Sequence, residues 1–127
     1  MTLEINIQQN GGDPVIAGAT VNLSGSLDTA TAPELERQLA PVLAGGIKNL
    51  IFDLANLKFI SSAGLRVFSA TRRQIKERGG HTAFVNLQPQ IKEVFEIIKA
   101  LPGMAVFEST AEMDRYLAAR QRSHDNP

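Results

Sequence analysis

The chain of 127 residues contains no cysteine, which excludes disulfide bonds and thiolate chemistry. Its charges balance, with 13 basic and 13 acidic residues, so no net field attracts nucleic acid or an anionic membrane. No apolar run approaches the roughly 20 residues that cross a bilayer, and segment 1–5 lacks the basic and apolar regions of a secretory signal. These absences predict a soluble, cytoplasmic protein that binds neither nucleic acid nor a membrane.

Catalytic and metal-binding patterns are also scarce. The two histidines, His81 and His124, are far apart in the chain, and without cysteine they form no recognisable metal-ligand spacing. A hydrolytic serine needs a base within hydrogen-bond reach, and neither histidine has a reason to approach Ser62. There is no Gly-x-Ser-x-Gly around the serines at 61–62 and no glycine-rich phosphate loop. We therefore expect no catalysis, no metal and no cofactor.

The chain does contain a regular succession of apolar patterns, interrupted by glycine and proline turns. The predicted elements are, in order, strands at 3–7 and 15–23, a helix ending before Gly45, a strand at 49–54, a helix from Ser62 to about Arg78, a strand at 81–87, a helix at 91–101, a strand at 105–107 and a helix from Thr110 to about Arg120.

The order β-β-α-β-α-β-α-β-α predicts an α/β fold, with an N-terminal hairpin, a mostly parallel central sheet and helices packed on it. The strand at 49–54 has no clean alternation, so we expect it to be covered on both faces. Asp28 or Thr29 is expected to cap the first helix. We expect one domain over residues 1–120, followed by a polar tail at 121–127.

The segment 51–65 carries most of the functional information. It is predicted to run from a buried strand through a short turn into a helix that begins at Ser61 and Ser62. Free backbone N–H groups and the positive end of a helix dipole meet at such a position, which favours a phosphate group.

Helical spacing of about 100° per residue divides this helix into two faces. Val67, Phe68 and Ile75 lie on the face predicted to be buried. Ser62 heads the opposite, basic face, where we expect it to be accessible to a kinase and where Arg66 can pair with an added phosphate. The alternative is structural, because serine is a favoured N-cap and a basic stripe is often only a solvated surface.

The segment Leu54–Val67 resembles the core motif of STAS domains, and most of all that of the anti-sigma factor antagonists. In that family a polar residue precedes serine, a small residue, glycine and leucine, and Ser62, Gly64 and Leu65 match this pattern. Upstream, the stretch from Leu23 to Asp28 is similar to the family's Gly-Glu-Leu-Asp motif. The resemblance extends from about Leu3 to Leu117.

The resemblance implies a partner-switching function. The unmodified protein is expected to bind an anti-sigma factor of the histidine-kinase-like ATPase fold, releasing a sigma factor. That kinase would use ATP and magnesium to phosphorylate Ser62, which ends binding, and a serine phosphatase would restore it. The partner-binding residues implied by the match and by the exposed helix face are Asp28, Ser61, Ser62, Gly64, Leu65, Arg66 and Arg73.

Two positions depart from the family pattern. Ser61 stands where the sporulation-type antagonists carry aspartate, and Ser26 stands where they carry glutamate. Both changes remove negative charge from the expected docking region, and the first leaves two adjacent serines as candidates for modification. An alternative within the same family is an adaptor or scaffold subunit, of a transport system or a stressosome, without a phosphorylation switch.

Overall fold

The computed structural model describes residues 2–10, 18–100 and 109–122. Its elements are β1 (Leu3–Asn10), β2 (Gly18–Leu27), α1 (Ala32–Ala44), β3 (Asn49–Ile60), α2 (Ser62–Glu77), β4 (His81–Val85), α3 (Pro89–Ala100) and α4 (Thr110–Arg122). They follow the predicted order, and the strand expected at 105–107 lies outside the described residues. No helix in the described ranges is long and apolar enough to cross a membrane.

The sheet has the strand order β1-β2-β3-β4. β1 pairs with β2 in antiparallel orientation, as the predicted hairpin requires, and the β2–β3 and β3–β4 pairs are parallel. Connections between parallel strands are almost always right-handed, and both crossovers step in the same direction along this sheet. Helices α1 and α2 therefore belong on the same face.

One face of the sheet carries the core. In β3, Leu50, Phe52 and Leu54 are buried, while Ile51 between them is 37% exposed. The expectation that this strand is covered on both faces is therefore wrong. The strand looked continuous because an apolar residue, Ile51, occupies a position on the open face. β3 also continues six residues beyond the predicted end, to Ile60.

An aromatic cluster joins the sheet to α2 and α3. The ring of Phe68 on α2 lies 4.8 Å from Phe52 and 5.0 Å from Phe84, measured between ring centroids. Phe95 on α3 closes the cluster, 5.2 Å from Phe84. Val67, Phe68 and Ile75 are all buried, so the predicted core face of α2 is confirmed.

The ends of α1 and α4 differ from the prediction. α1 begins at Ala32 with Thr31 as its N-cap residue, later than the expected capping positions Asp28 and Thr29. α4 continues two residues past the predicted end at Arg120, and Gln121, expected in the polar tail, is only 2% exposed. The second difference places the Gln121 side chain against Ile60, just before the start of α2.

Candidate functional site

The candidate site lies where β2 and β3 end side by side. Leu27 and Ile60 are partners in the parallel pairing, and the Ser61 N–H donates to the Leu27 carbonyl over 2.9 Å. Carboxyl ends of parallel strands meet at one edge of a sheet, so the segments that follow, 28–31 and 61–65, are neighbours. The two stretches that carry the family resemblance are thus brought together.

Asp28 organises the first of these segments. Its Oδ1 accepts hydrogen bonds from the N–H groups of Ala30 and Thr31, both over 3.0 Å. In return, the Thr31 Oγ1 accepts from the Asp28 N–H over 2.9 Å and donates to the Ser26 carbonyl over 2.8 Å. Asp28 therefore caps the turn that leads into α1, although it is not the N-cap residue itself.

The two serines at the start of α2 are buried. Ser61 is 5% exposed and Ser62 is 0% exposed. Within the described part of the chain, neither hydroxyl oxygen has a hydrogen-bond partner. Ser61 is the N-cap residue of α2, but its side chain makes no capping hydrogen bond. The expectation that Ser62 lies on an accessible face is therefore wrong for this arrangement of the chain.

The cap of α2 comes from α4 instead. Asp114 Oδ1 accepts a hydrogen bond from the Ser62 N–H over 2.8 Å. A carboxylate at a helix N-terminus satisfies an otherwise unpaired amide and interacts favourably with the helix dipole. The first turn of α2 itself contains no acidic residue, so this carboxylate arrives from 52 residues further along the chain. No spacing within the motif indicates it.

Gly64 allows α2 to begin close to the sheet. A Cβ atom at this position would lie 2.6 Å from Leu27 Cγ and 3.0 Å from Ile60 Cγ1. Both side chains are fully buried, so they have little room to move away. Glycine at position 64 therefore sets how close Ser62 lies to the end of β3.

We expect Gly64→Ala to lower the free energy of unfolding by about 1–2 kcal/mol, because overpacking against Leu27 outweighs the better helix propensity of alanine. Denaturant unfolding measures the change. Ser69→Ala is the control, since Ser69 is exposed on the same helix and its replacement is expected to change stability by less than about 0.5 kcal/mol. A stabilised Gly64→Ala protein would show that α2 does not press on Leu27.

The remaining predicted site residues divide between surface and core. Arg66 and Arg73 are exposed on α2, as predicted, and Asp28 is half-buried. Gly64 and Leu65 are buried together with the two serines, so these four residues present no side chain to a docking partner in this arrangement. Sequence reasoning missed Asp114 and Gln121, which both reach this region from α4.

Comparison with known proteins gives consistent matches. The STAS domain family model matches residues 4–113. BtrV of Bordetella bronchiseptica, which carries the name of an anti-sigma factor antagonist, is 39% identical over 75 residues, or 59% of this chain and 65% of that protein. The anti-sigma-B factor antagonist of Bacillus subtilis is 30% identical over 97 residues, or 76% of this chain and 84% of that protein.

Among solved structures, the Bacillus protein SpoIIAA has a similar fold. In its unphosphorylated form, SpoIIAA superposes with a TM-score of 0.58 and 19% identity, covering 72% of this chain and 83% of that chain. SpoIIAA has also been solved in a phosphorylated form, which superposes with a TM-score of 0.57. At this identity the likeness concerns the fold alone.

Proposed function

Because the chain belongs to the STAS domain family, we propose that it is an anti-sigma factor antagonist in a partner-switching pathway of the bacterial cytoplasm. It binds an anti-sigma factor and thereby releases a sigma factor. The names of its relatives in Bordetella and Bacillus support this function. The observation that carries it is the position of Ser62, which opens α2 beside the Asp28 turn, where both matching motifs meet.

We place the switch at Ser62. The partner, a serine kinase of the histidine-kinase-like ATPase fold, transfers the γ-phosphoryl group of ATP with the help of magnesium. The Ser62 Oγ forms a bond to phosphorus, the bond from that phosphorus to the bridging oxygen of ADP breaks, and the hydroxyl proton passes to solvent. The start of α2 favours the added charge of about −1.5 to −2, because backbone amides and the helix dipole point toward it. A serine phosphatase removes the group.

The docking surface is proposed to include the exposed side chains of Arg66 and Arg73 on α2, with Asp28 at the adjacent turn. Ser61, Ser62, Gly64 and Leu65 lie beneath this surface and shape it, since they are buried. A phosphoryl group on Ser62 opposes docking because a charge at a surface that is desolvated on binding is costly to bury.

The proposed modification is tested by incubating the protein with a cognate anti-sigma kinase, ATP and magnesium, followed by intact mass measurement. We expect a gain of one phosphoryl group in the wild type and in Ser61→Ala, and no gain in Ser62→Ala. Ser61→Ala is the matched control, because the neighbouring serine is also buried and its hydroxyl also lacks a hydrogen-bond partner in the described part of the chain. If the mass increase is absent in Ser61→Ala but present in Ser62→Ala, the modified residue is Ser61.

A further inference from the structure

Helix α4 contacts the residue that the proposed kinase must reach. Through Asp114 it supplies the carboxylate that caps α2 at the Ser62 N–H. Ser62 is fully buried, and its Oγ has no hydrogen-bond partner within the described ranges. The hydroxyl therefore makes no hydrogen bond that favours its buried position, and the proposed phosphoryl transfer requires the chain around Ser62 to open.

A second contact fixes the other end of α4. The Gln121 side chain accepts a hydrogen bond from the Ile60 N–H over 2.8 Å and donates one to the Ile60 carbonyl over 2.7 Å. One amide thus pairs with both backbone groups of the last residue in β3, as a neighbouring strand would. Asp114 and Gln121 hold α4 across the junction between β3 and α2.

Within the described residues, α4 buries fewer side chains than α2 does. Among the side chains described from 111 to 122, the buried ones are Met113, Leu117 and Gln121, spaced about one helical turn apart. An ion pair between Arg120 and Glu93 joins it to α3 on the protein surface, where such pairs contribute little. By contrast, α2 buries seven residues. The polar contacts of Asp114 and Gln121 add to this attachment, and one of them places a negative charge at the proposed site of modification.

We propose that α4 is a latch, in which the Asp114 carboxylate occupies the anion position that the Ser62 phosphoryl group takes after modification. The inference rests on the proposed function, because it concerns phosphorylation of Ser62. Both anions use the same helix N-terminus, and like charges at hydrogen-bond distance repel strongly in a partly buried site. Phosphorylation therefore releases α4, and the released helix distinguishes the modified protein from the unmodified one.

The latch is tested first without a kinase, by hydrogen exchange of the α4 amides in the full chain. Ser62→Glu places a carboxylate beside Asp114, whereas Ser62→Gln places a neutral side chain of the same size there. We expect exchange in 113–121 to be at least about tenfold faster in Ser62→Glu than in Ser62→Gln, with β2 unchanged. Equal exchange in both variants would mean that bulk opens α4, and would overturn the proposal.

A second experiment removes the negative charge of Asp114. Asp114→Asn keeps an oxygen that can accept from the Ser62 N–H but carries no charge, so the difference between Ser62→Glu and Ser62→Gln should fall by at least half in this background. An unchanged difference would contradict the latch. If Ser62→Glu does not fold, Asp114→Ala alone, with Ser62 intact, should still speed α4 exchange, and normal protection there would contradict the latch.

The phosphorylated wild-type protein separates the latch from the function on which it rests. Phosphorylation at Ser62 with fast exchange in α4 supports both proposals. Phosphorylation at Ser62 with full protection of α4 overturns the latch and leaves the switch intact. If the kinase leaves Ser62 unmodified, the proposed function fails, while the comparison of Ser62→Glu with Ser62→Gln still decides whether Asp114 holds α4 through its charge.

Discussion

Phe68→Ala is expected to lower the free energy of unfolding by about 3–5 kcal/mol. Phe68 is 3% exposed, and its ring contacts Phe52, Phe84 and Phe95, with centroid distances of 4.8, 5.0 and 6.3 Å. Alanine leaves a cavity where sheet, α2 and α3 meet, and three rings lose a packing partner. Denaturant unfolding followed by circular dichroism measures the loss.

Arg73→Glu is the matched control for this prediction. It lies on the exposed face of α2, five residues further along the same helix, where a charge change is expected to alter stability by less than about 0.5 kcal/mol. It should nevertheless weaken binding to the anti-sigma factor if the proposed docking surface is correct. Unfolding by Arg73→Glu, together with a stable Phe68→Ala protein, would mean that the two faces of α2 are assigned the wrong way round.

Phosphorylation of Ser62 is expected to weaken binding to the anti-sigma factor by at least about 100-fold, which corresponds to about 2.7 kcal/mol. Binding weakens because the added charge must be desolvated in the interface, or because it disturbs the surface of this protein that contacts the partner. Ser62→Ala should bind as tightly as the unmodified wild type, because it removes a buried hydroxyl that has no hydrogen-bond partner in the described structure. Calorimetric titration of the three forms measures the difference.

A remote charge controls for net charge in this experiment. Gln8→Glu adds a negative charge on β1, an exposed position on a strand that does not pair with β3, and it should leave the affinity unchanged. If the phosphorylated protein binds as tightly as Ser62→Ala and Gln8→Glu, the switch is excluded. The adaptor or scaffold function then becomes the better proposal for the role of this STAS domain.

The sequence was sufficient for features that depend on one element or its neighbours. The helical period alone separates buried Phe68 from exposed Arg73, because both faces belong to the same helix. The order of elements predicts the hairpin and the parallel sheet, since handedness and short connections leave few arrangements. The proximity of Asp28 and Ser62 was implied by the family resemblance, and it arises because two parallel strands end together.

Features that depend on distant segments could not be predicted. The carboxylate that caps the Ser62 N–H comes from α4, and a helical projection of α2 contains no information about a helix that begins 48 residues later. Gln121 looked like part of a polar tail because glutamine is usually exposed. Its burial becomes favourable only when the Ile60 backbone supplies both a donor and an acceptor.

The position of Asp114, 52 residues after Ser62, has a consequence for the protein during its synthesis. At about 5–20 residues per second, the ribosome adds Asp114 roughly 3–10 s after Ser62. In that interval the nascent chain contains the serine but not the carboxylate that caps it. Under the proposed latch, the start of α2 therefore lacks its carboxylate cap until the last helix of the described chain has been synthesised.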